Sequence, residues 1–311
     1  DLECDLFVDG LKLTDRRRDE VLATLQISEV REDSRAVQAG DLFVALAGQA
    51  TTGQRFLQDA VARGAKVLVV QQLEPSLSQV VQVLVSSTAQ ALASIAGNRY
   101  DRPGDQLTLI AITGTNGKTT TNFLVDAMLE ESGLLPGLIG TVAYRYRGQS
   151  KPAPFTTPTP LLLHQTLAEM RASGVRTVTL EASSHALALH RLHGLHFRVV
   201  AFSNLTQDHL DFHHTMDAYF AAKASLFTPP LLPRVGDTPD GKPGIGVVNI
   251  DAPAGRRLAQ LLPTEARLTV SIDGPADIQV VSEQHSIDGI NATLSTPAPM
   301  AWLPARRCGS P

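Results

Sequence analysis

Short runs of adjacent apolar residues, rather than strict alternation, punctuate the chain. In the first hundred residues they fall at "DLFVAL" (41–46), "KVLVV" (66–70) and "VQVLV" (81–85), with helical spacing near 54–63 and 88–99. Strands alternating with helices predict an α/β unit. "YDRPGDQ" at 100–106 gathers Pro and Gly among charges and reads as a linker. A second series follows: "LTLIAI" (107–112), "VRTVTL" (175–180), "FRVVAFS" (197–203) and "IGVVNI" (245–250). Each is a near-continuous apolar run, the pattern of parallel strands buried on both faces. Helix-like segments lie between them at 118–132, 161–173 and 216–227. The Pro/Gly-rich stretch 228–244 predicts a surface loop, and from 265 the pattern shortens to β-like pieces. There is no internal repeat, heptad series or low-complexity tract.

Length changes this picture only by suggesting two domains for 311 residues. With 43% hydrophobic and 19% charged residues and a formal charge of −4, nothing points to nucleic acid or to an anionic membrane. No apolar run approaches the roughly 20 residues of a membrane span. Cys4 and Cys308 stand at opposite ends, which supplies neither a disulfide framework nor a Cys-type zinc site and fits a reducing cytoplasm. The chain opens at Asp1 without a basic and apolar leader, so no signal peptide is expected.

The candidate chemistry starts at "IAITGTNGKTTT" (110–121). The common phosphate loop needs a glycine five residues before Gly117, where this chain has Ile112. What stands here is the shorter bracket Gly114-Thr115-Asn116-Gly117-Lys118-Thr119, after a buried-type strand and at the opening of a helix. Backbone N–H groups there make an anion site, Lys118 can neutralise β/γ-phosphate charge, and the Thr119 hydroxyl can reach Mg²⁺. The bland alternative is a glycine turn with an incidental lysine. Glu181, directly after the strand at 175–180, supplies an acidic partner at the carboxyl edge of the sheet, where open α/β folds place ligands. The alternative for a lone strand-end Glu is a solvated charge. His185, His190, His193, His196, His209, His213 and His214 crowd the next segment. The i, i+4 spacing of His209 and His213 predicts two imidazoles on one helical face, so zinc is thinkable. The oxygens of Thr206, Asp208 and Asp211 suit a hard cation better.

Four motifs in order, "DSRAVQAGDLFVALAG" (33–48), "TGTNGKTTT" (113–121), "LEASSHALALHR" (180–191) and "FSNLTQDHLDFHHTMDAYFAAKASLF" (202–227), resemble the Mur ligases, specifically the MurE type. Those enzymes add the third amino acid of the peptidoglycan stem to UDP-N-acetylmuramoyl-L-alanyl-D-glutamate. The resemblance covers roughly 27–295, and the short glycine bracket is that family's own form. MurF-type ligases share the first motif but lack "DHLDFH", and folylpolyglutamate synthetases carry Gly-Lys-Gly-Ser.

By matching positions, the resemblance implies that Gly114, Thr115, Asn116, Gly117, Lys118, Thr119 and Thr120 hold ATP, with Asn249 on the adenine side. It implies that Ser34, Gln49, Ala50, Thr51, Thr156, Thr157, Ser183 and Arg191 hold the UDP-muramoyl dipeptide. Hydroxyls and a guanidinium suit pyrophosphate and carboxylate. Many members have Gln before the His-Arg pair where this chain has Leu189. Two Mg²⁺ are expected on Thr119, Glu181, His209 and an N-carboxylated Lys223, with Lys118, Lys223 and His209 as the catalytic set. Without the resemblance, Lys223 reads as a solvated helix-face lysine.

The implied reaction is ATP-dependent amide ligation through an acyl phosphate, with a diamino acid, meso-diaminopimelate, as acceptor, in a cytoplasmic monomer. The implied fold is α/β, with an N-terminal UDP-sugar-binding domain (1–103) and a central, mostly parallel-sheet, P-loop-type ATPase domain (104–296). A tail, 297–311, reads as aberrant or truncated, and the C-terminal Rossmann-like domain that holds the acceptor is expected to be absent. The rivals are an L-lysine-adding, other Mur-like or folylpolyglutamate-type ligase, and a truncated copy that only binds nucleotide.

Overall fold

The computed structural model describes residues 4–8, 11–46, 53–234, 237, 243–286 and 289–297. The expected tail beyond 297 and the segment Gln49-Ala50-Thr51 lie outside these. Two compact units divide the chain: one holds 1–103, 159–168 and 189–194, the other 104–158, 169–188 and 195–311.

The first unit is built from β1 (Cys4–Val8), β2 (Leu11–Lys12), α1 (Asp15–Thr24), β3 (Val30–Arg31), β4 (Leu42–Val44), α2 (Leu57–Ala62), β5 (Val67–Val70), β6 (Val81–Val85) and α3 (Thr88–Arg99). Its six-stranded sheet runs β2-β1-β6-β5-β4-β3, parallel from β6 to β3 and antiparallel at β1 and β2. All four residues of β5 are buried, as its unbroken "VLVV" requires of a strand covered on both faces. One face packs Phe43, Leu57, Ala60 and Leu68, the other Val44, Val69, Val85 and Leu92. The helix expected near 54–63 opens instead as a 3₁₀ turn, Gly53–Phe56, before α2.

The second unit begins at β7 (Thr108–Thr113), α4 (Lys118–Glu131), β8 (Pro136–Ile139), β9 (Ala143–Tyr146) and β10 (Gln149–Pro152). It continues with α5 (Pro160–Ala172), whose first part belongs to the other unit, then β11 (Thr177–Glu181), α6 (Ser184–Ala188) and β12 (Val199–Phe202). After these come α7 (Leu210–His213), α8 (Met216–Ala224), β13 (Ile245–Asn249), α9 (Pro253–Leu261), β14 (Arg267–Ser271), β15 (Ile278–Ser286) and β16 (Gly289–Ser295). Ten strands form one sheet, β10-β9-β8-β11-β7-β12-β13-β14-β15-β16. Its centre from β8 to β15, through β11 and β7, is parallel, and β9, β10 and β16 add antiparallel edges.

This order places the site. From β7 the chain moves to one side, to β8 and β11, and then crosses to β12 on the other. The switch therefore opens a crevice at the carboxyl end of β7, where such sheets take ligands. Ile112 lies level with Glu181 of β11, and Thr113 level with Phe202 of β12. Among the described residues, no helix is long and apolar enough to cross a membrane.

Candidate functional site

Gly114 and Gly117 carry the turn out of β7, with φ of 151° and 85°. Both values favour glycine, and at Gly114 a Cβ would also run into Ser203 Oγ and the backbone of Asn204. The loop is braced from the end of β12. Asn204 O and Oδ1 accept from the N–H groups of Thr115 and Asn116 (both 3.0 Å), and Ser203 Oγ donates to Asn116 O (2.6 Å). Thr115 Oγ1 accepts from Thr206 N (3.0 Å) and lies 3.1 Å from Tyr219 Oη. The N–H groups of Thr115 and Asn116 are so engaged, while the first turn of α4, which includes the expected Thr119 and Thr120, has the N–H groups that a helix start leaves without intrahelical partners.

Two lysines converge on the same carbonyl. Lys118 Nζ donates to Gly114 O and Thr115 O (2.9 Å each), and Lys223 Nζ donates to Gly114 O (2.8 Å). Lys223 is 1% exposed, so it is not a solvated helix-face lysine. Its ammonium also sits 4.6 Å over the Tyr219 ring. Burial, and after it the charge of Lys118, pulls the Lys223 amine from 10.5 down to about 7, against the opposing pull of Asp208. Burial lowers Lys118 too, opposed by Glu181 and Asp208.

Glu181 is fully buried, which removes the solvated-charge alternative. Its Oε2 accepts from Thr119 Oγ1 (2.9 Å) and Thr141 Oγ1 (3.1 Å), and its Oε1 accepts from Thr141 N (2.9 Å). Gly140 makes room for this approach, since a Cβ there would collide with Glu181 Oε1. Two hard oxygens, one hydroxyl and one carboxylate, thus stand together at the start of α4 and fit a hard divalent cation.

His209 departs from the helical-face expectation. It precedes α7 as a left-handed N-cap with φ of 52°, because α7 spans only four residues and starts after it. The His185 ring centroid lies 4.8 Å from that of His209 and 5.6 Å from that of His213. Burial and the neighbouring His185 and His209 push His213 below its ordinary value. Among the described residues, no three His, Cys, Asp or Glu side chains gather as a metal-holding group.

The expected substrate positions divide between the units. In the first, Ser34 is buried and hydrogen-bonded to Asp59, whose carboxyl it helps to lower. Arg191 sits beside Glu32, which burial pushes up against a Thr159 hydrogen bond and the Arg191 charge. In the second, Thr157 Oγ1 donates to Glu181 O (2.7 Å) and accepts from Ser183 N (3.0 Å), and Ser183 Oγ accepts from Ala186 N (3.2 Å). Thr156 Oγ1 lies 3.1 Å from Thr141 Oγ1. Asn249, at the end of β13, hydrogen-bonds Asp251 through both ends of its carboxamide (3.2 and 2.9 Å).

Sequence reasoning missed Thr141, Ser203, Asn204 and Tyr219. A Gly-Thr pair closing a short apolar strand is the one local signal Thr141 offers, and the others meet the loop only across 87 to 104 residues of chain.

A glycine turn between a buried parallel strand and a helix, followed by Lys-Thr and faced by a neighbouring strand's carboxylate, makes this an α/β protein with a P-loop-type turn. Comparison with known proteins narrows the class. The Mur ligase middle domain matches residues 112–299, and the Mur ligase family catalytic domain matches 26–100. The chain belongs to the Mur ligase family. It is 40% identical over 277 residues to the UDP-N-acetylmuramoyl-L-alanyl-D-glutamate--2,6-diaminopimelate ligase of Gloeobacter violaceus, covering 89% of this chain and 54% of that protein. The protein of the same name from Geobacter metallireducens is 38% identical, with 88% and 52% covered. A solved structure of a ligase of that name aligns with a TM-score of 0.70 at 26% identity, covering 87% of this chain and 54% of that one. The MurF ligase of Thermotoga maritima in complex with ADP aligns at 0.51 and 19% identity, over 88% and 57%, and shows the fold alone. The chain spans about half the length of the curated relatives it matches.

Proposed function

We propose that this chain provides the UDP-muramoyl and ATP sites of a ligase that adds meso-diaminopimelate to UDP-MurNAc-L-Ala-D-Glu in the cytoplasm. The observation that carries this reading is the grouping of Lys118, Thr119 and Glu181 at the carboxyl edge of β7 and β11. The names of the relatives support the choice of substrate and acceptor. Residues 1–103 serve as the UDP-sugar-binding domain and 104–296 as the ATP-binding domain. ATP lies on the loop from Gly114 to Thr120, with Asn249 towards adenine. Ser34, Gln49, Ala50, Thr51, Thr156, Thr157, Ser183 and Arg191 serve the UDP-muramoyl dipeptide.

Thr119 and Glu181 suit one magnesium ion, and His209 with an N-carboxylated Lys223 suits a second. Bound magnesium supplies neutralisation of phosphate charge as the substrate carboxylate attacks the γ-phosphate. Lys118 adds a fixed positive charge beside the same phosphates. With its proton affinity near 7, the Lys223 amine is about half neutral at pH 7 and can react with CO₂. The amine nitrogen bonds to the CO₂ carbon and gives up one proton to solvent, so the carbamate keeps one N–H where Lys223 Nζ now donates to Gly114 O.

The reading is tested by measuring phosphate release with ATP, Mg²⁺, UDP-MurNAc-L-Ala-D-Glu and each candidate acceptor, alongside calorimetric ADP binding. Magnesium-dependent nucleotide binding that Lys118→Ala weakens at least tenfold is expected. Failure of the chain to bind ADP at all rejects the nucleotide site. Binding with little or no acceptor-dependent release is the outcome expected of these two sites alone, and robust acceptor-dependent turnover by the 311 residues would overturn the assignment of the acceptor site to a further domain.

A further inference from the structure

Glu181 carries a charge with no exposed surface, so its donors must replace water. Of the three hydrogen bonds its carboxylate accepts, two come from Thr141, one through the backbone and one through the hydroxyl. Thr141 in turn stands where β8 gives way to β9, on a turn that Gly140 lets close against the carboxylate. Its hydroxyl has one proton and lies 3.1 Å from both Glu181 Oε2 and Thr156 Oγ1. An ionised carboxylate only accepts, so the single Thr141 hydroxyl proton is held by Glu181 whenever it is not turned to the alternative acceptor, Thr156 Oγ1.

We propose that Thr141 is a positioning residue, which holds the Glu181 carboxylate in place for cation binding through its backbone N–H and its hydroxyl. This rests on the nucleotide-site reading above. Three of about four carboxylate lone-pair sites are filled. The carboxylate is therefore fixed in orientation while room for one further partner remains. Removing the Thr141 hydroxyl leaves Thr119, among the described residues, as the only side-chain donor to Glu181 and frees the carboxyl plane to turn about the remaining contacts.

The test is calorimetric ADP binding to the 311-residue chain with and without Mg²⁺, for the parent, Thr141→Val and Thr141→Ser. The parent and Thr141→Ser should bind ADP more tightly with Mg²⁺. In Thr141→Val that magnesium-dependent gain should fall about tenfold, the usual loss for a residue that orients a metal ligand, with the loss confined to the magnesium-dependent part. Should Val at 141 prevent folding, judged by thermal melting, Thr141→Ala takes its place with the same expected loss. A full magnesium gain in Thr141→Val, or an equal loss in Thr141→Ser, overturns the positioning role. A parent that binds no ADP in either condition overturns the nucleotide site itself and removes this proposal with it; the two failures differ in whether the parent binds.

Discussion

Lys118 and Lys223 aim two ammonium groups at the carbonyl of Gly114, and the buried one yields. Burial and the Lys118 charge hold the folded Lys223 amine near 7, whereas the unfolded chain keeps its proton up to 10.5. Between those values the unfolded state binds more protons, so stability should rise with pH across this window. Below 7 both states are charged and the whole penalty of the buried ammonium is present. In CO₂-free buffer, Lys223→Met should flatten most of the rise in urea midpoint between pH 7 and 10, with Lys118, also lowered, accounting for the remainder. The substitution should stabilise the fold by about 1–3 kcal/mol at pH 6. An unchanged rise would assign it wholly to Lys118. The same neutral amine should give a carbamate signal with ¹³C-bicarbonate near pH 8 that Lys223→Met lacks.

At the scale of elements, the carboxyl ends of β13 and β14 are pinned beyond their ladder by Asp251. Its carboxylate accepts from Ser271 Oγ, from the N–H groups of Ile272 (3.1 Å) and Asp273 (3.3 Å), and from Asn249 Nδ2 (3.2 Å). Burial opposes ionisation here, but these bonds outweigh it and hold the carboxyl below its ordinary 3.8. That stability is present above pH 3.8 and is lost as pH falls through the lower folded value. Asp251→Ala should cost about 1–3 kcal/mol at pH 7, because Ser271 is buried and loses its acceptor. It should also weaken ADP binding by releasing Asn249, and intact ADP affinity in that variant would separate Asn249 from the nucleotide. Of the strands flanking this clamp, β13 was legible from its apolar run "IGVVNI", whereas β14, "RLTVS", mixes polar and apolar residues and was expected only among the β-like pieces after 265. Strand β10, "QSKP", is exposed along its length and carries no such run, and α1, "DRRRDEVLAT", has little apolar face to announce a helix. Edges paired through backbone alone leave no hydrophobic period to read.

For the whole molecule, the glycine loop and Glu181 stood out from the residues themselves, as a turn and a carboxylate each directly after an apolar strand, whereas Lys223 came only with the family resemblance. Sequence reading could not find Thr141, Ser203 or Asn204, whose contacts with the site are made 40 to 90 residues away. The same distance effect governs how the chain divides. A break at the Pro/Gly linker is visible locally, but the return of 159–168 and 189–194 to the first unit is not. Leu161, from the start of α5, packs against the cluster of Val30, Val44, Val69, Val85, Ala91 and Leu92, and Leu163 is fully buried. Residues 1–103 expressed alone would lack both segments and uncover part of that cluster. At about 25 cal/mol per Å², losing the cover of one or two leucines amounts to roughly 2–4 kcal/mol, a large share of a small domain's stability. The isolated 1–103 fragment should therefore unfold in urea at a lower midpoint and over a broader range than the same unit in the full chain, followed by far-UV circular dichroism. Leu161→Ala in the full chain should reproduce part of that loss, about 1–3 kcal/mol. A fragment as stable as the full chain, with Leu161→Ala neutral, would show that the returning segments ride on the first unit without supporting its core.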